Sequence, residues 1–243
     1  MRSRFINIHT HRLVPGERAI RNILSDFHTL DPKGYFACGM HPWYITTETA
    51  EEQFAAMQKA AKNPLVLAIG ECGLDKVCDT DFELQLTYFR KQIELAKSVN
   101  KPVIIHCVRA WEELISVSVS ASVSKKIGWL SGPETPSPSP ETSTPHTLPC
   151  FVIHGFNKSP ALAARLIDAG FYLSFGKHIL NPENACAEAF KQTPLDRVFF
   201  ETDDAEIQIE EVYRSAALVK DMDIDVLCSK VEENLQRVFG TTF

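Results

Sequence analysis

The chain reads as an α/β protein, a TIM-type (β/α) barrel, and three observations predict it. Short β-rich apolar runs alternate with helical segments along the whole sequence, the rhythm of βαβ units on a parallel sheet. The length, 243 residues, suits a closed barrel, which commonly takes about 250 residues as one unit. Finally, side chains capable of chemistry recur where the apolar runs end, and barrels build their sites at the C-terminal ends of their strands. That recurrence sets aside the runner-up, an open doubly wound sheet. Residues 1–243 are expected to form a single domain with one strand missing, distorted or too irregular to read.

The first strand is Phe5-Ile6-Asn7-Ile8-His9-Thr10-His11. Side chains alternate along a strand, so His9 and His11 share a face. After a turn at Pro15-Gly16, apolar residues at Ala19, Ile20, Ile23, Leu24 and Phe27 predict a helix over 17–28. Gly34–His41 (GYFACGMH) is the second strand, ended by Pro42, and Glu48–Lys62 is a helix rich in Glu, Ala, Gln and Lys. Leu65–Glu71 (LVLAIGE) is the third strand, hydrophobic throughout, as expected where both faces are covered. A long amphipathic helix follows over 81–99, then a fourth strand, Pro102–Cys107 (PVIIHC), and a helix from about Ala110. Cys150–Gly155 (CFVIHG) and Phe171–Phe175 (FYLSF) flank a helix over 159–169 that ends at Gly170. A helix over 183–191 leads to the seventh strand, Arg197–Asp203 (RVFFETD), and helices over 207–220 and 224–239 complete the chain.

One stretch breaks the rhythm. Residues 116–149 are rich in Ser, Pro, Thr and Glu, the composition of a flexible loop. Lying between a helix and the next strand, it is expected to hang from the face opposite the site, as a tolerated insertion rather than a docking element. His146 within it is expected to be solvated and inert. Closing so long a loop is cheap, at roughly 0.6 kcal/mol per doubling of length.

The formal net charge of −6 argues against a broad basic surface for duplex nucleic acid, though not against a small positive site. Seven scattered cysteines without a C-x-x-C pair fit reduced thiols better than a disulfide framework. No apolar run approaches the ~18 residues of a membrane span, and the basic start, Met1-Arg2-Ser3-Arg4, leads into no long apolar segment. A soluble, cytoplasmic protein is expected.

Five of the eight histidines fall at expected strand ends: His9 and His11 on the first, His41 on the second, His106 on the fourth and His154 on the fifth. Glu71 ends the third strand and Asp203 the seventh. One such histidine is more often a satisfied core residue than a ligand; five in register with two carboxylates reverse that weighting. Parallel strands bring these ends to one mouth, where His9, His11, His106, His154, Glu71 and Asp203 can enclose two divalent cations. Mixed nitrogen and oxygen ligation suits Zn²⁺ or Mn²⁺, while Mg²⁺ favours more oxygens. Glu71, central and with two oxygens, is the choice for a bridge between metals. Two carboxylates against two such ions leave a charge near +2, enough to attract phosphate.

The series INIHTH, GMHPW, AIGECGLD, KPVIIHC, CFVIHGF, YLSFG and FFETD resembles the TatD-type metal-dependent hydrolases, in order and over nearly the whole chain outside the Ser/Pro stretch. The resemblance implies an amidohydrolase-like barrel that cleaves phosphodiesters, often as a deoxyribonuclease trimming the ends of single strands, and so a phosphodiester substrate such as single-stranded DNA or RNA ends. It implies His9, His11, Glu71, His106, His154 and Asp203 as metal ligands, with His41 beside the substrate. Three positions depart from the family pattern: Asn7 in place of Asp, Asn157-Lys158-Ser159 in place of a small Ser-Gly turn, and Asp204-Ala205 in place of Ala-Pro. These bear on substrate and rate rather than on metal binding.

The expected chemistry is metal-activated water attacking phosphorus, with Asp203 as general base and His41 bonding the substrate or leaving group. Arg109 and Lys158 are candidate phosphate clamps, weighed evenly against ordinary surface charges. Glu201 shares a face with Asp203 and is a candidate support for a ligand; Cys72 and Cys107 read as core fillers. Two rival readings stand beside the nuclease: a hydrolase of small amides, lactones or aminoacyl esters, and a catalytically weak partner-binding protein.

Overall fold

A computed structural model of the chain describes residues 3–12, 14–25, 27, 30–123 and 149–241. Eight strands form one sheet in sequence order: β1 (Ile6–Thr10), β2 (Arg18–Ile23), β3 (Tyr35–Cys38), β4 (Val66–Asp75), β5 (Val103–Val108), β6 (Phe151–Ile153), β7 (Tyr172–Phe175) and β8 (Val198–Phe200). Each is parallel to its neighbour. A parallel bridge between Thr10 and Asp203 closes the ring. There the Asp203 N–H donates to the His9 carbonyl at 3.0 Å and the His11 N–H to the Asp203 carbonyl at 3.1 Å. The barrel is therefore present, with eight strands.

The strand the sequence hid is β2, in the segment expected to be a helix. Its apolar residues fit a 3.6-residue period, but six residues are too few for periodicity to separate helix from strand. Ile20 and Asn22 are buried at 0% and 5% exposure, while the alternating Ala19, Arg21 and Ile23 are only partly covered. Ladders to β1 and β3 on its two edges, with β-branched Ile20 and Ile23, favour the extended form.

Seven α-helices are described: α1 (Ala50–Ala60), α2 (Phe82–Val99), α3 (Trp111–Val123), α4 (Pro160–Asp168), α5 (Ala185–Gln192), α6 (Ile209–Val219) and α7 (Ile224–Phe239). Their ends follow local chemistry. Asp81 accepts from the Leu84 N–H at the start of α2, Asn100 ends it in the left-handed conformation (φ 52°), and Ser159 caps α4 ahead of Pro160. Helix α3, anchored by buried Leu114 and Val117, runs on to Val123, so the expected loop does not begin at 116. Residues 124–148, His146 among them, lie outside the described residues. All seven cysteines are free, and no described helix is long and apolar enough to cross a membrane.

Strand β4 aims the central carboxylate. Its register with β5 slips between Ile69 and Cys72, where three steps on β4 span two on β5, a bulge that redirects the intervening residues Gly70 and Glu71. The glycines of AIGECGLD make this possible. Gly70 and Gly73 sit at φ 144° and 150°, and a Cβ there would lie 2.4 Å from the Ile104 carbonyl oxygen and 1.9 Å from that of His106. β4 is thus pressed against β5 at spacings that no other side chain allows.

Where the short β8 leaves the lower edge of β1 unpaired, α6 fills in. The buried Tyr213 hydroxyl accepts from the Ile6 N–H at 3.2 Å and donates to the Ile6 carbonyl at 3.1 Å. Tyr213→Phe keeps the ring but orphans both backbone groups, and is expected to cost about 1–3 kcal/mol. A lowered urea midpoint with an unchanged slope would register it; an unmoved midpoint would contradict this role for the hydroxyl.

Candidate metal centre

At the C-terminal mouth the strand ends converge on Glu71, which is 3% exposed. Its two oxygens face different neighbours. Oε2 lies 3.4 Å from His9 Nε2 and 3.3 Å from His11 Nε2, and accepts from Asn22 Nδ2 at 3.1 Å. Oε1 lies 3.1 Å from His41 Nε2, 3.1 Å from His106 Nδ1 and 2.8 Å from His154 Nε2. Asp203 joins the first group, its Oδ1 standing 3.5 Å from His9 Nε2 and 3.4 Å from His11 Nε2. Two sets of nitrogen and oxygen donors thus share one carboxylate.

His9 tests whether a cation fits. It is fully buried, yet neither ring nitrogen has a hydrogen-bond partner, a state that costs about 1–3 kcal/mol when nothing else satisfies it. The spacing agrees. Donors on a tetrahedral ion with bonds of about 2.1 Å stand about 3.4 Å apart, as the 3.3–3.5 Å separations around His9 and His11 do. His9, His11 and Glu71 offer atoms that lie within 4.8 Å of one another, as do His9, His154 and Asp203, and also His41, Glu71 and His106. The donors fit divalent cations.

The outward nitrogens of two rings face carboxylates, that of His106 within hydrogen-bond distance, an arrangement that favours one ring orientation. His106 Nε2 lies 3.1 Å from Asp75 Oδ2, which also accepts the Trp43 indole N–H at 2.6 Å. His154 Nδ1 faces Glu201 at 3.5 Å, and Glu201 accepts the Gly155 N–H at 2.6 Å. Asn22 grips Glu71 twice, donating to Oε2 and accepting the Glu71 N–H at 2.8 Å.

Charge in the cluster follows from this crowding. Burial opposes ionisation of Glu71, but His154, His106 and His11 outweigh it and hold the carboxyl well below the usual range. Burial likewise opposes the charge on Asp203, and His11 and His9 overcome it, again lowering the pKa. Asp203 and Glu71 in turn raise His11 to about 9 against the effect of burial. Burial disfavours protonation of His154, yet Glu71 and Glu201 carry its pKa well above the ordinary value. In His41 burial prevails and the pKa falls.

The remaining candidates sort by position. Lys158 lines the rim of a cavity of about 250 Å³ that opens beside His106, His154, Glu201 and Asp203. Arg109 is exposed, sits in the left-handed region (φ 54°) and is not among the residues lining that cavity. His41 is only 5% exposed and contacts Glu71 rather than the rim. Buried Asn7 bonds Thr202 and Glu17, below His9. Asp204 pairs with Lys177 at 3.1 Å. Cys72 and Cys107 are buried, and burial pushes both thiol pKa values up, that of Cys107 to about 12. Sequence reasoning missed Asn22, hidden by the helix expected there, and Asp75, which alternation from Glu71 through Gly73 would have placed on the ligand face.

A family model described as "TatD related DNase" matches residues 4–240. The chain belongs to that family. Among TatD-type relatives, it is 28% identical over 224 residues to the uncharacterised metal-dependent hydrolase YabD of Bacillus subtilis, covering 84% of this chain and 77% of the relative. It is 26% identical over 224 residues to a protein of Erwinia amylovora named 3'-5' ssDNA/RNA exonuclease TatD, covering 83% and 76%. The fold matches YjjV, a TatD homologue from Escherichia coli K12, with a TM-score of 0.75 at 20% identity over 98% of this chain and 99% of that one.

Two predictions follow from the geometry. Asn22→Ala frees Glu71 to swing, and is expected to weaken metal affinity about 10–100-fold; competition with a chromophoric chelator measures it, and wild-type affinity would refute the role. Metal uptake at pH 7 should also release protons. Ligand imidazoles must be neutral, and His11, with its pKa raised to about 9, is protonated at that pH. The carboxyls, with lowered pKa values, have already lost theirs. Apparent affinity should therefore rise with pH until about 9 and then level. Calorimetry in buffers of different ionisation enthalpy reads the proton count; identical heats would contradict it.

Proposed function

We propose that this chain is a metal-dependent hydrolase that cleaves phosphodiester bonds at single-stranded nucleic-acid ends, using two divalent cations, Zn²⁺, Mn²⁺ or Mg²⁺. The observation that carries it is the division of donors about Glu71: His9, His11 and Asp203 beside Oε2, His106 and His154 beside Oε1. Membership of the family and the name of the Erwinia amylovora relative support phosphodiesters over amides or lactones. The unbroken donor set argues against a mere binding protein.

In this reading His9, His11, Asp203 and Glu71 would hold one cation, and His106, His154 and the shared Glu71 the other. When bound, such ions lower the pKa of water and polarise the phosphoryl group. The chain's own groups do the rest. Asp203, kept ionised beside the opening, orients the attacking water and accepts its proton at a carboxylate oxygen. Glu201 and Asp75 hold His154 and His106 in orientation, and Asn22 keeps Glu71 between the two groups. Lys158 at the rim attracts the substrate phosphate. His41, neutral and wedged against Glu71 and His106, keeps water out of that side of the cluster.

Hydrolysis of labelled single-stranded DNA and RNA, alongside ester and amide panels, with each metal in turn tests the reading. A chelator should abolish turnover. Glu71→Gln should lower it by more than about 100-fold while the circular dichroism spectrum stays that of the parent. Full turnover by Glu71→Gln would end the two-cation mechanism, and cleavage of amides alone would end the nuclease.

A further inference from the structure

Among the described residues Trp43 and Tyr44 are the only exposed Phe, Tyr or Trp side chains, and both stand at the mouth. Trp43 is 53% exposed and Tyr44 55%. Val77, 58% exposed, is tied to the same carboxylate as Trp43. The rings are held rather than loose. They lie in a single 3-10 turn, Pro42–Tyr44, whose first residue is a proline. The Trp43 N–H donates to His41 Nδ1 at 3.1 Å and the Tyr44 N–H to the His41 carbonyl at 3.0 Å. The Trp43 indole N–H binds Asp75 Oδ2 at 2.6 Å, while the Val77 N–H binds Oδ1 at 2.7 Å. Trp43 stands 5.8 Å from the His106 ring and 4.9 Å from that of His41. One edge of the indole is thus anchored beside the ligand cluster while half its surface meets water.

The other side of the mouth carries two lysines, Lys158 and Lys177, the latter paired with Asp204 at 3.1 Å. Lys158 follows β6 and Lys177 follows β7, and both line the cavity beside His154. In a ring of eight strands β7 lies across from β3, which leads into the Trp43 turn. The mouth therefore has an aromatic wall and a basic wall with the ligand cluster between them.

We infer that Trp43 and Tyr44 are a stacking wall for unpaired nucleobases flanking the scissile bond, with the strand's phosphates along the Lys158 and Lys177 side, a role that rests on the phosphodiester reading of this mouth. Every base offers a π-face, so stacking is tolerant of sequence. Within a duplex both faces are already taken, so the wall selects single strands. The two rings are inclined at 74° with centroids 6.4 Å apart, which suits one base on each ring rather than one flat ligand across both. A protein partner would find little apolar area here, and the facing lysines match a polyanion.

Fluorescence anisotropy of a labelled thymidine oligomer and of an abasic oligomer of equal length, with chelator present to stop cleavage, tests the wall. The thymidine oligomer is expected to bind the full chain at least tenfold more tightly than the abasic one, with a duplex as weak as the latter. Tyr44→Ala and Trp43→Ala should each cost roughly ten- to hundredfold on the thymidine oligomer and nothing on the abasic one. Trp43→Phe, which keeps a ring but loses the bond to Asp75, should retain most of the affinity. Equal affinity for the two oligomers or for duplex, binding of none, or a Trp43→Phe that falls as far as Trp43→Ala overturns the wall. A chain that cleaves oligomers with metal yet binds both alike loses the wall and keeps the phosphodiester reading. One that prefers bases yet cleaves nothing keeps the wall and loses that reading.

Discussion

A buried carboxylate with both oxygens engaged governs this structure. Taking the Glu71 charge out of water costs several kcal/mol unless opposite charge or donors surround it. The barrel surrounds it from five strands: His9 and His11 from β1 and its end, Asn22 from β2, His41 beyond β3, His106 from β5 and His154 beyond β6. Much else serves that arrangement. The bulge in β4 aims the side chain, and the glycines on either side of it let β4 approach its neighbours closely enough for the imidazoles to reach. The sequence AIGECGLD is therefore constrained by sterics at its glycines and by electrostatics at its acids.

The acids around the cluster form an outer ring with one purpose. Asp75 bonds the His106 nitrogen that points away from Glu71, and Glu201 faces that of His154 at 3.5 Å, so each ring presents its other nitrogen inward. Imidazoles pinned this way lose little rotational freedom when a ligand arrives. The crowded carboxylates also raise the proton affinity of His11 and His154, which makes protons the competitors of cations here.

How much of this could be read in advance differs by residue. His9, His11, Glu71, His106, His154 and Asp203 were legible because each follows an apolar strand, and strand ends in a parallel barrel meet. Fourteen of the elements lay where apolar periodicity put them, give or take a few residues at their ends. β2 was not legible: six residues with two arginines and an asparagine carry no strong period, and pairing on both edges decides their form. Losing β2 also lost Asn22. Arg109 and Lys158 sit one step beyond strands, where loop geometry rather than alternation sets direction; one reaches the cavity rim and the other does not. In the sequence the turn after His41 reads as a strand terminator, and only its exposure reveals two open rings.

The closing bridge between Thr10 and Asp203 joins the earliest strand to the latest, and the same few residues supply His9, His11 and Asp203. Assembly of the centre and sealing of the barrel are one event. A chain emerging from the ribosome carries its first two imidazoles well before Asp203, 193 residues beyond Thr10, is made. The donor cluster is thereby completed only after β8 has joined the sheet, an order of events imposed by topology alone.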